Sequence, residues 1–262
     1  IYMDQPPSFV QEGHEHLVCK LKKSLYGLRQ SPRAWYEEFH AFFTREGFTR
    51  SHADHSLYIK QAKDFIMMVV IYVDDVILVT SKGYMTVLKS SLDNEYDMTD
   101  LGELHFFLGV DIERDRAART ITMHQRSYIE GVLKRFGMED CKPIGTPLDS
   151  KCVLDKLSDE EYEHVLQEMQ GVPYKQGVGS LMYAMVATRA DLAFAVSVVS
   201  QFMSKPGPMH WAAVKRIMRY LKGTLDMRLC LGGKDMSMRG YCDADWGGDH
   251  NTRKSTTGYV FY

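Results

Sequence analysis

The sequence has little of what marks several protein classes. Its formal net charge is only -2 over 262 residues, so bulk charge gives no support for nucleic-acid binding, and such a role must rest on local patches. Its five cysteines, Cys19, Cys141, Cys152, Cys230 and Cys242, are scattered, odd in number and without paired metal-ligand spacing. That argues against a disulfide framework and for a reducing compartment. No apolar run is long enough to span a bilayer, so no membrane partner is expected. Internal repeats and low-complexity tracts are absent. The chain does not open on Met, and no signal peptide is expected. Ile1-Tyr2-Met3-Asp4-Gln5-Pro6-Pro7 reads as mid-domain, and the expectation is a piece of something longer. What remains is an ordinary globular balance, 45% hydrophobic and 25% charged, enough for a sizeable core and two or more subdomains.

The chain is organised around Tyr72-Val73-Asp74-Asp75. Apolar residues run from Phe65 to Val73 and resume from Val76 to Val79, ending at Thr80-Ser81-Lys82-Gly83. This pattern predicts two buried strands joined by a tight turn. Short hairpin turns need positive φ and prefer Asn-Gly or Asp-Gly, so Asp-Asp at the tip suits them poorly. Adjacent carboxylates also repel unless a cation lies between them. A local rule broken at the tip of an apolar hairpin points to function, and two carboxylates suit a hard cation such as Mg²⁺. A solvated acidic turn is the plainer alternative.

Upstream, Ile1 to Gly13 is punctuated by Pro and Gly and reads as loop, and Leu17 to Leu21 as a short strand. Ser31 is suited to cap a helix and Pro32 to occupy its first position, with Ala34, Trp35, Phe39, Phe42 and Phe43 at helical spacing and Gly47 as the stop. Lys20, Lys22, Lys23, Arg29 and Arg33 crowd this stretch among Tyr26, Trp35 and Tyr36. Basic and aromatic groups together suit phosphates and bases, although for this segment alone a solvated face beside core aromatics is the favoured reading. Leu57 to Lys60 reads as a strand, Tyr84 to Tyr96 as a helix, Leu104 to Ile112 as one strand with a bulge or close approach at Gly109, and Thr120 to His124 as its partner. A β-β-α-β-β order of this kind gives an antiparallel sheet backed by helices on one face, an α+β arrangement.

Ser127 and Glu130 have the spacing of a capping box for a helix ending at Phe136-Gly137. Cys141 to Lys151, with Pro143, Gly145 and Pro147, reads as a linker. A second box, Ser158 with Glu161, opens a polar stretch. Helices follow at Tyr174 to Ala187, Ala190 to Met203 (nearly all apolar, hence buried) and Pro208 to Lys222. The last bears Lys215, Arg216, Arg219 and Lys222 along one side, which could track a nucleic-acid backbone but is more often a solvated face. Strands close the chain at Met227 to Leu231, Met238 to Ala244 and Tyr259 to Tyr262. His14-x-His16 and His52-x-x-His55 have ligand-like spacing but no nearby second pair, so surface histidines are expected. The sixteen Met residues suit core filling.

Three stretches in this order, Leu21 to Trp35 (LKKSLYGLRQSPRAW), Tyr72-Val73-Asp74-Asp75 and Leu101 to Gly109 (LGELHFFLG), resemble the reverse transcriptase of Ty1/copia-type LTR retrotransposons. Tyr183 to Asp191 (YAMVATRAD) and Gly240 to Trp246 (GYCDADW) resemble later parts of the same Pol polyprotein, the second being the entry to its ribonuclease H domain. The resemblance implies a right-hand polymerase. Residues 1–124 would be partial fingers and palm, 125–150 a thumb-like segment and linker, 151–235 a helical connection, and 236–262 the truncated start of a ribonuclease H-like α/β domain. It implies two-metal nucleotidyl transfer from a dNTP to a primer 3′-hydroxyl, with Mg²⁺ or Mn²⁺ as the two ions. Asp74 and Asp75 would be the catalytic and metal-binding carboxylates. Tyr26, Gly27, Arg29, Gln30, Pro32 and Arg33 would lie beside the template and incoming nucleotide. Tyr72, Phe107, Leu108 and Gly109 would contact the primer, and Asp243 would be part of a ribonuclease H site.

The implied partners are an RNA or DNA template, a DNA primer, dNTP and the rest of the polyprotein, including integrase and ribonuclease H. The implied location is a cytoplasmic virus-like particle, or the nucleus. The family takes another essential carboxylate from a motif resembling Asp-Val-Lys-x-Ala-Phe, which this sequence lacks, so the isolated chain is expected not to extend a primer. Two alternatives stand beside this reading. One is a non-catalytic remnant or co-opted nucleic-acid or protein-binding module. The other is an unrelated metal-dependent phosphatase or nuclease, which would require Asp74, Asp75, Asp243 and Asp245 to meet in one pocket.

Overall fold

The structure, a computed structural model, describes residues 1–81, 83–149, 153–233, 237–249 and 251–262. Lys82, the linker end at Lys151 and Cys152 lie outside the described residues. The described cysteines are all free, and among the described residues no helix is long and apolar enough to cross a membrane. The chain divides into two compact units, Ile1–Gly102 and Glu103–Tyr262. Every sheet in both is antiparallel.

The first unit opens with β1 (Tyr2–Asp4) paired to β2 (Val18–Lys20), so the segment read as loop contributes a strand. Helix α1 (Ser31–Arg45) follows. Pro32 sits in its first turn, where a missing N–H costs nothing. Ser31 is not the cap. It is the first helical residue, and its hydroxyl donates back to the Leu25 carbonyl. Phe39, Phe42 and Phe43 recur at i, i+3 and i+4 and form one buried stripe, each stabilising the unit by roughly 1.5–3 kcal/mol. The helix ends in a Schellman motif: Phe48 N–H donates to Phe43 O at 2.9 Å and Gly47 N–H to Thr44 O at 3.0 Å. Gly47, at φ 82°, supplies the left-handed residue this motif needs.

Four strands form the main sheet of this unit in the order β3-β4-β5-β6: β3 (Thr49–Arg50), β4 (Leu57–Ala62), β5 (Phe65–Tyr72) and β6 (Asp75–Thr80). Helix α2 (Met85–Glu95) contributes Leu88 and Leu92 to the core that α1 builds against Tyr58, Met67 and Val69. The expectation of strands buried on both faces is corrected here. Alternate residues of β5 face the helices, while Ile66 and Tyr72, and Val79 of β6, are exposed. One helical layer covers one face of an antiparallel sheet, and period 2 leaves the other face open.

In the second unit the stretch expected as one strand is a hairpin: β7 (Phe106–Phe107), a turn at Leu108-Gly109, and β8 (Val110–Asp115). β8 pairs with β9 (Thr120–His124), and β9 with β10 (Leu229–Gly232). These strands therefore form a second sheet, not an extension of the first. Helix α3 (Arg126–Arg135) starts without a side-chain cap. Glu130, expected in a capping box with Ser127, pairs with Arg126 instead. The box at Ser158 and Glu161 is present on α4 (Asp159–Met169), with both reciprocal hydrogen bonds.

Helix α5 (Tyr174–Ala187), a 3-10 turn (Ala190–Leu192), α6 (Ala193–Ser200) and α7 (Pro208–Gly223) pack with α3 around Leu133, Leu181, Val196, Val214 and Ile217. α6 buries only one face, leaving Phe194 exposed, and stops at Ser200 rather than Met203. Arg189 is buried to 2% exposure. It donates to both Asp191 oxygens at 3.0 and 2.9 Å and to the Thr224 carbonyl at 3.1 Å, and Tyr220 donates to the same carboxylate. Burial pushes the Asp191 carboxyl up, but the Arg189 and Tyr220 hydrogen bonds outweigh it and hold it below its ordinary value. The basic row on α7 is in part a clasp: Arg216 donates to Thr146 and Arg219 to the Lys142 carbonyl, holding the 142–149 linker. A separate hairpin of β11 (Gly240–Ala244) and β12 (Thr257–Phe261) completes the unit.

Candidate active-site turns

In the first unit Tyr72 pairs with Asp75 across the sheet, so the two-residue turn is Val73-Asp74 and not Asp74-Asp75. Asp75 is the first residue of β6, on the same face as Tyr72. Both carboxylates are exposed. Val73 has φ 53°. A β-branched residue there is a genuine backbone outlier, because Cβ crowds the neighbouring carbonyl. The Val73 carbonyl accepts a 2.8 Å hydrogen bond from Trp35 Nε1 on α1. Trp35 is itself fixed edge-on against Phe39, with ring centroids 4.6 Å apart. Beneath the turn lies a cavity of about 220 Å³ whose lining includes Pro32, Trp35, Tyr36, His55 and Val73.

The structure thus joins the Asp74 turn to the start of α1 and brings Pro32 to the same cavity. The other residues expected beside template and nucleotide are spread along the approach to the helix. Tyr26 is 92% exposed, Gly27 turns the chain at φ 90°, and Arg29 and Gln30 are exposed. Arg33 is held by Glu37 at 2.8 Å, and this hydrogen bond raises the affinity of the guanidinium for its proton. The pair is fully solvated and adds little stability.

The second turn, Leu108-Gly109, has positive φ at both residues, 49° and 78°. That is the pattern of a type I′ hairpin. The Leu108 carbonyl accepts a hydrogen bond from the Tyr183 hydroxyl on α5. The Tyr183 ring packs edge-on to Tyr128, whose hydroxyl donates to the Ser180 carbonyl at 3.0 Å. Phe107 is half-buried beside the turn. Asp243 lies exposed on β11, with an oxygen accepting the Ala244 N–H at 2.8 Å. Asp245 is occupied by the Gly248 and Thr256 N–H groups.

Among the described residues no group of three or more His, Cys, Asp or Glu side chains is placed to hold a metal ion. Asp74 and Asp75 belong to the first unit and Asp243 and Asp245 to the second. Two adjacent carboxylates on an exposed turn do fit one hard cation that completes its shell with water and substrate phosphates. Trp35 and Tyr183 were not expected as turn clasps. Their partners lie 38 and 75 positions away, and no local pattern signals such a contact.

Comparison with known proteins adds an independent line. A family model described as reverse transcriptase (RNA-dependent DNA polymerase) matches residues 1–150. The full chain is 46% identical to the retrovirus-related Pol polyprotein from transposon TNT 1-94 of Nicotiana tabacum, covering 20% of that protein. It is 39% identical to the retrovirus-related Pol polyprotein from transposon RE1 of Arabidopsis thaliana, covering 17% of it. Over 99% of its length it is 31% identical to a putative transposon Ty5-1 protein of Saccharomyces cerevisiae, covering 83% of that protein. The chain therefore spans about a fifth of the length of the two plant polyproteins. No solved structure matches.

Proposed function

The chain belongs to the reverse transcriptase family of Ty1/copia-type retrotransposons, and on that premise we propose that it is the part of an RNA-directed DNA polymerase that carries the catalytic hairpin and the primer hairpin. The observation that carries the reading is the Val73-Asp74 turn: a strained backbone, clasped by Trp35, at which Asp74 and Asp75 are consecutive and both exposed. Strain of this kind persists where the surrounding structure over-determines it, and it concentrates at functional sites.

Asp74 and Asp75 would hold Mg²⁺ or Mn²⁺, which when bound in the complete enzyme would supply charge neutralisation for nucleotidyl transfer to the primer 3′-hydroxyl. The chain's own residues do the positioning. Tyr72, on the face of Asp75, lies against the primer end, and the Phe107-Leu108-Gly109 turn, fixed by Tyr183, holds that end. Tyr26 to Arg33 border the template and the incoming dNTP. Residues 1–124 act as partial fingers and palm, 125–150 as thumb and linker, 151–235 as the connection, and 236–262, with Asp243, as the entry to a ribonuclease H domain. The working setting is the whole polyprotein, with integrase and ribonuclease H, in a cytoplasmic particle or the nucleus.

Two carboxylates are too few for a two-metal site, so the 262-residue chain alone binds a cation without extending a primer. The experiment is paramagnetic broadening by Mn²⁺ together with primer extension. Broadening confined to residues 72–76 and lost in Asp74→Asn, with no dNTP incorporation, is the expected result. Broadening that ignores Asp74→Asn would sink the metal assignment. Incorporation by the wild-type chain that Asp74→Asn abolishes would sink the claim of insufficiency.

A further inference from the structure

The far end of the primer hairpin carries a feature that the proposed function does not use. Arg114, Arg116 and Arg119 surround the β8–β9 turn and, with Asp115, Thr120 and Ile121, line an open cavity of about 330 Å³. Elsewhere in this unit Arg126, Arg189, Arg216 and Arg228 are each engaged by a carboxylate. At the tip only Arg116 is, by Glu103. The side chains of Arg114 and Arg119 are exposed and make no hydrogen bond or ion pair among the described residues, although Arg114 lies near enough to Glu103 to help hold that carboxyl below its ordinary value after Arg116. One oxygen of Asp115, the carboxylate in the lining, is taken by the Ala117 and Ala118 N–H groups at 2.8 and 2.9 Å.

The tip is held, not loose. Arg119 sits at φ 58°, and its carbonyl accepts the Gly233 N–H at 3.0 Å. A Cβ on Gly232 would meet that same carbonyl oxygen at 2.3 Å, so only glycine lets β10 close against the arginine turn.

We propose that this arginine tip is a phosphodiester-binding site that grips a primer–template duplex behind the primer end. The proposal rests on the assignment of Leu108-Gly109 to the primer terminus. From Val110 to Asp115, β8 makes five steps of about 3.4 Å, so the tip stands ~17 Å from that turn. Successive phosphates on one strand are about 3.4 Å apart along the duplex axis. A duplex lying along the hairpin therefore offers Arg114 and Arg119 phosphates about five nucleotides from the primer end. The planar guanidinium fork matches phosphate oxygens. The turn between the arginines carries only Ala117 and Ala118, with no large apolar residue to enter a membrane.

The test is fluorescence anisotropy of the full 262-residue chain with a labelled stem-loop bearing a 12-base-pair stem and a recessed 3′ end. Arg114→Gln/Arg119→Gln should weaken binding about tenfold at low salt and make the log–log salt dependence shallower by about 1.8, two phosphates at ~0.9 each. With a four-base-pair stem, wild type and variant should bind alike. If the double variant melts lower than wild type, the single variants carry the same comparison. Equal affinity and salt slope for wild type and variant on the long stem overturn the arginine tip and leave the polymerase reading intact. A wild-type chain that binds no duplex overturns both. Loss of binding to phosphatidylserine vesicles, with duplex binding unchanged, overturns the proposal in favour of membrane contact.

Discussion

The Val73-Asp74 and Leu108-Gly109 turns are both two-residue connections whose first residue is a large aliphatic at positive φ, 53° and 49°. In both, the carbonyl of that residue accepts a hydrogen bond from an aromatic side chain on a helix, Trp35 in one case and Tyr183 in the other. They differ in the second residue. Gly109 follows at φ 78°, completing the pattern that hairpin twist favours, whereas Asp74 is not at positive φ. The first turn thus has the form that reserves its leading position for glycine, with valine there instead. The turn bearing the carboxylates carries the β-branched outlier, held by the Trp35 hydrogen bond. The other also holds a bulky residue at positive φ, but glycine in its second position suits the favoured twist.

The largest break in this comparison is expected from Arg189→Met. Arg189 anchors the end of α5, the helix that carries Tyr183. Removing it leaves Asp191 without its cation and should cost the second unit about 3 kcal/mol. Chemical denaturation followed separately in the two units should show the second melting early and the first unchanged. Coincident shifts in both units would show that they do not unfold independently.

A smaller effect is expected at Trp35. Trp35→Phe keeps an aromatic ring but removes the N–H donor with the pyrrole half of the indole, which should cost the first unit about 1 kcal/mol for the hydrogen bond beyond the lost ring contact. Val73→Gly in the same chain should recover most of that loss, because glycine takes positive φ without crowding. If Val73→Gly instead adds to the loss, the backbone at Val73 is not the strained element.

The smallest effect is a pH dependence confined to the second unit. His210 is fully buried and stacked on Phe202 at 4.0 Å. Its Nδ1 accepts the Gly207 N–H at 2.8 Å, and its Nε2 lies 3.0 Å from the Asp155 carbonyl. Burial holds its proton affinity below the ordinary histidine value, outweighing the pull of the Asp155 carbonyl. The depressed value favours the neutral ring in the fold. Its contribution is therefore complete above the unfolded value, near 6.5, and is lost as pH falls below it. One such proton gives a slope of at most ~1.4 kcal/mol per pH unit. Melting between pH 7 and 5 should show the second unit weakening, and His210→Gln should flatten the dependence.

Much of the fold was legible in local patterns. Helix α5 begins and ends at the expected residues, the capping box at Ser158 forms, and Gly47 and Gly137 stop their helices at left-handed φ. These features depend on neighbours a few positions away. The misplaced ones do not. Ser127 and Glu130 have the spacing of a box, but Arg126 competes for the glutamate. Leu104 to Ile112 reads as one strand because apolar content cannot distinguish a strand from a hairpin whose turn is Leu-Gly. Thr120–His124 finds a second partner in Leu229–Gly232, more than 100 positions away, so the strands after Gly102 form their own sheet.

By itself the sequence determined the family and elements such as α5 and the capped start of α4, since periodicity, caps and motifs are encoded within short windows. Tertiary structure decided which residue bends at the hairpin tip and what holds it there. The turn falls on Val73-Asp74 because pairing register across β5 and β6 sets Tyr72 opposite Asp75. A valine at positive φ remains in place because a helix 38 positions upstream supplies the Trp35 N–H that its carbonyl accepts.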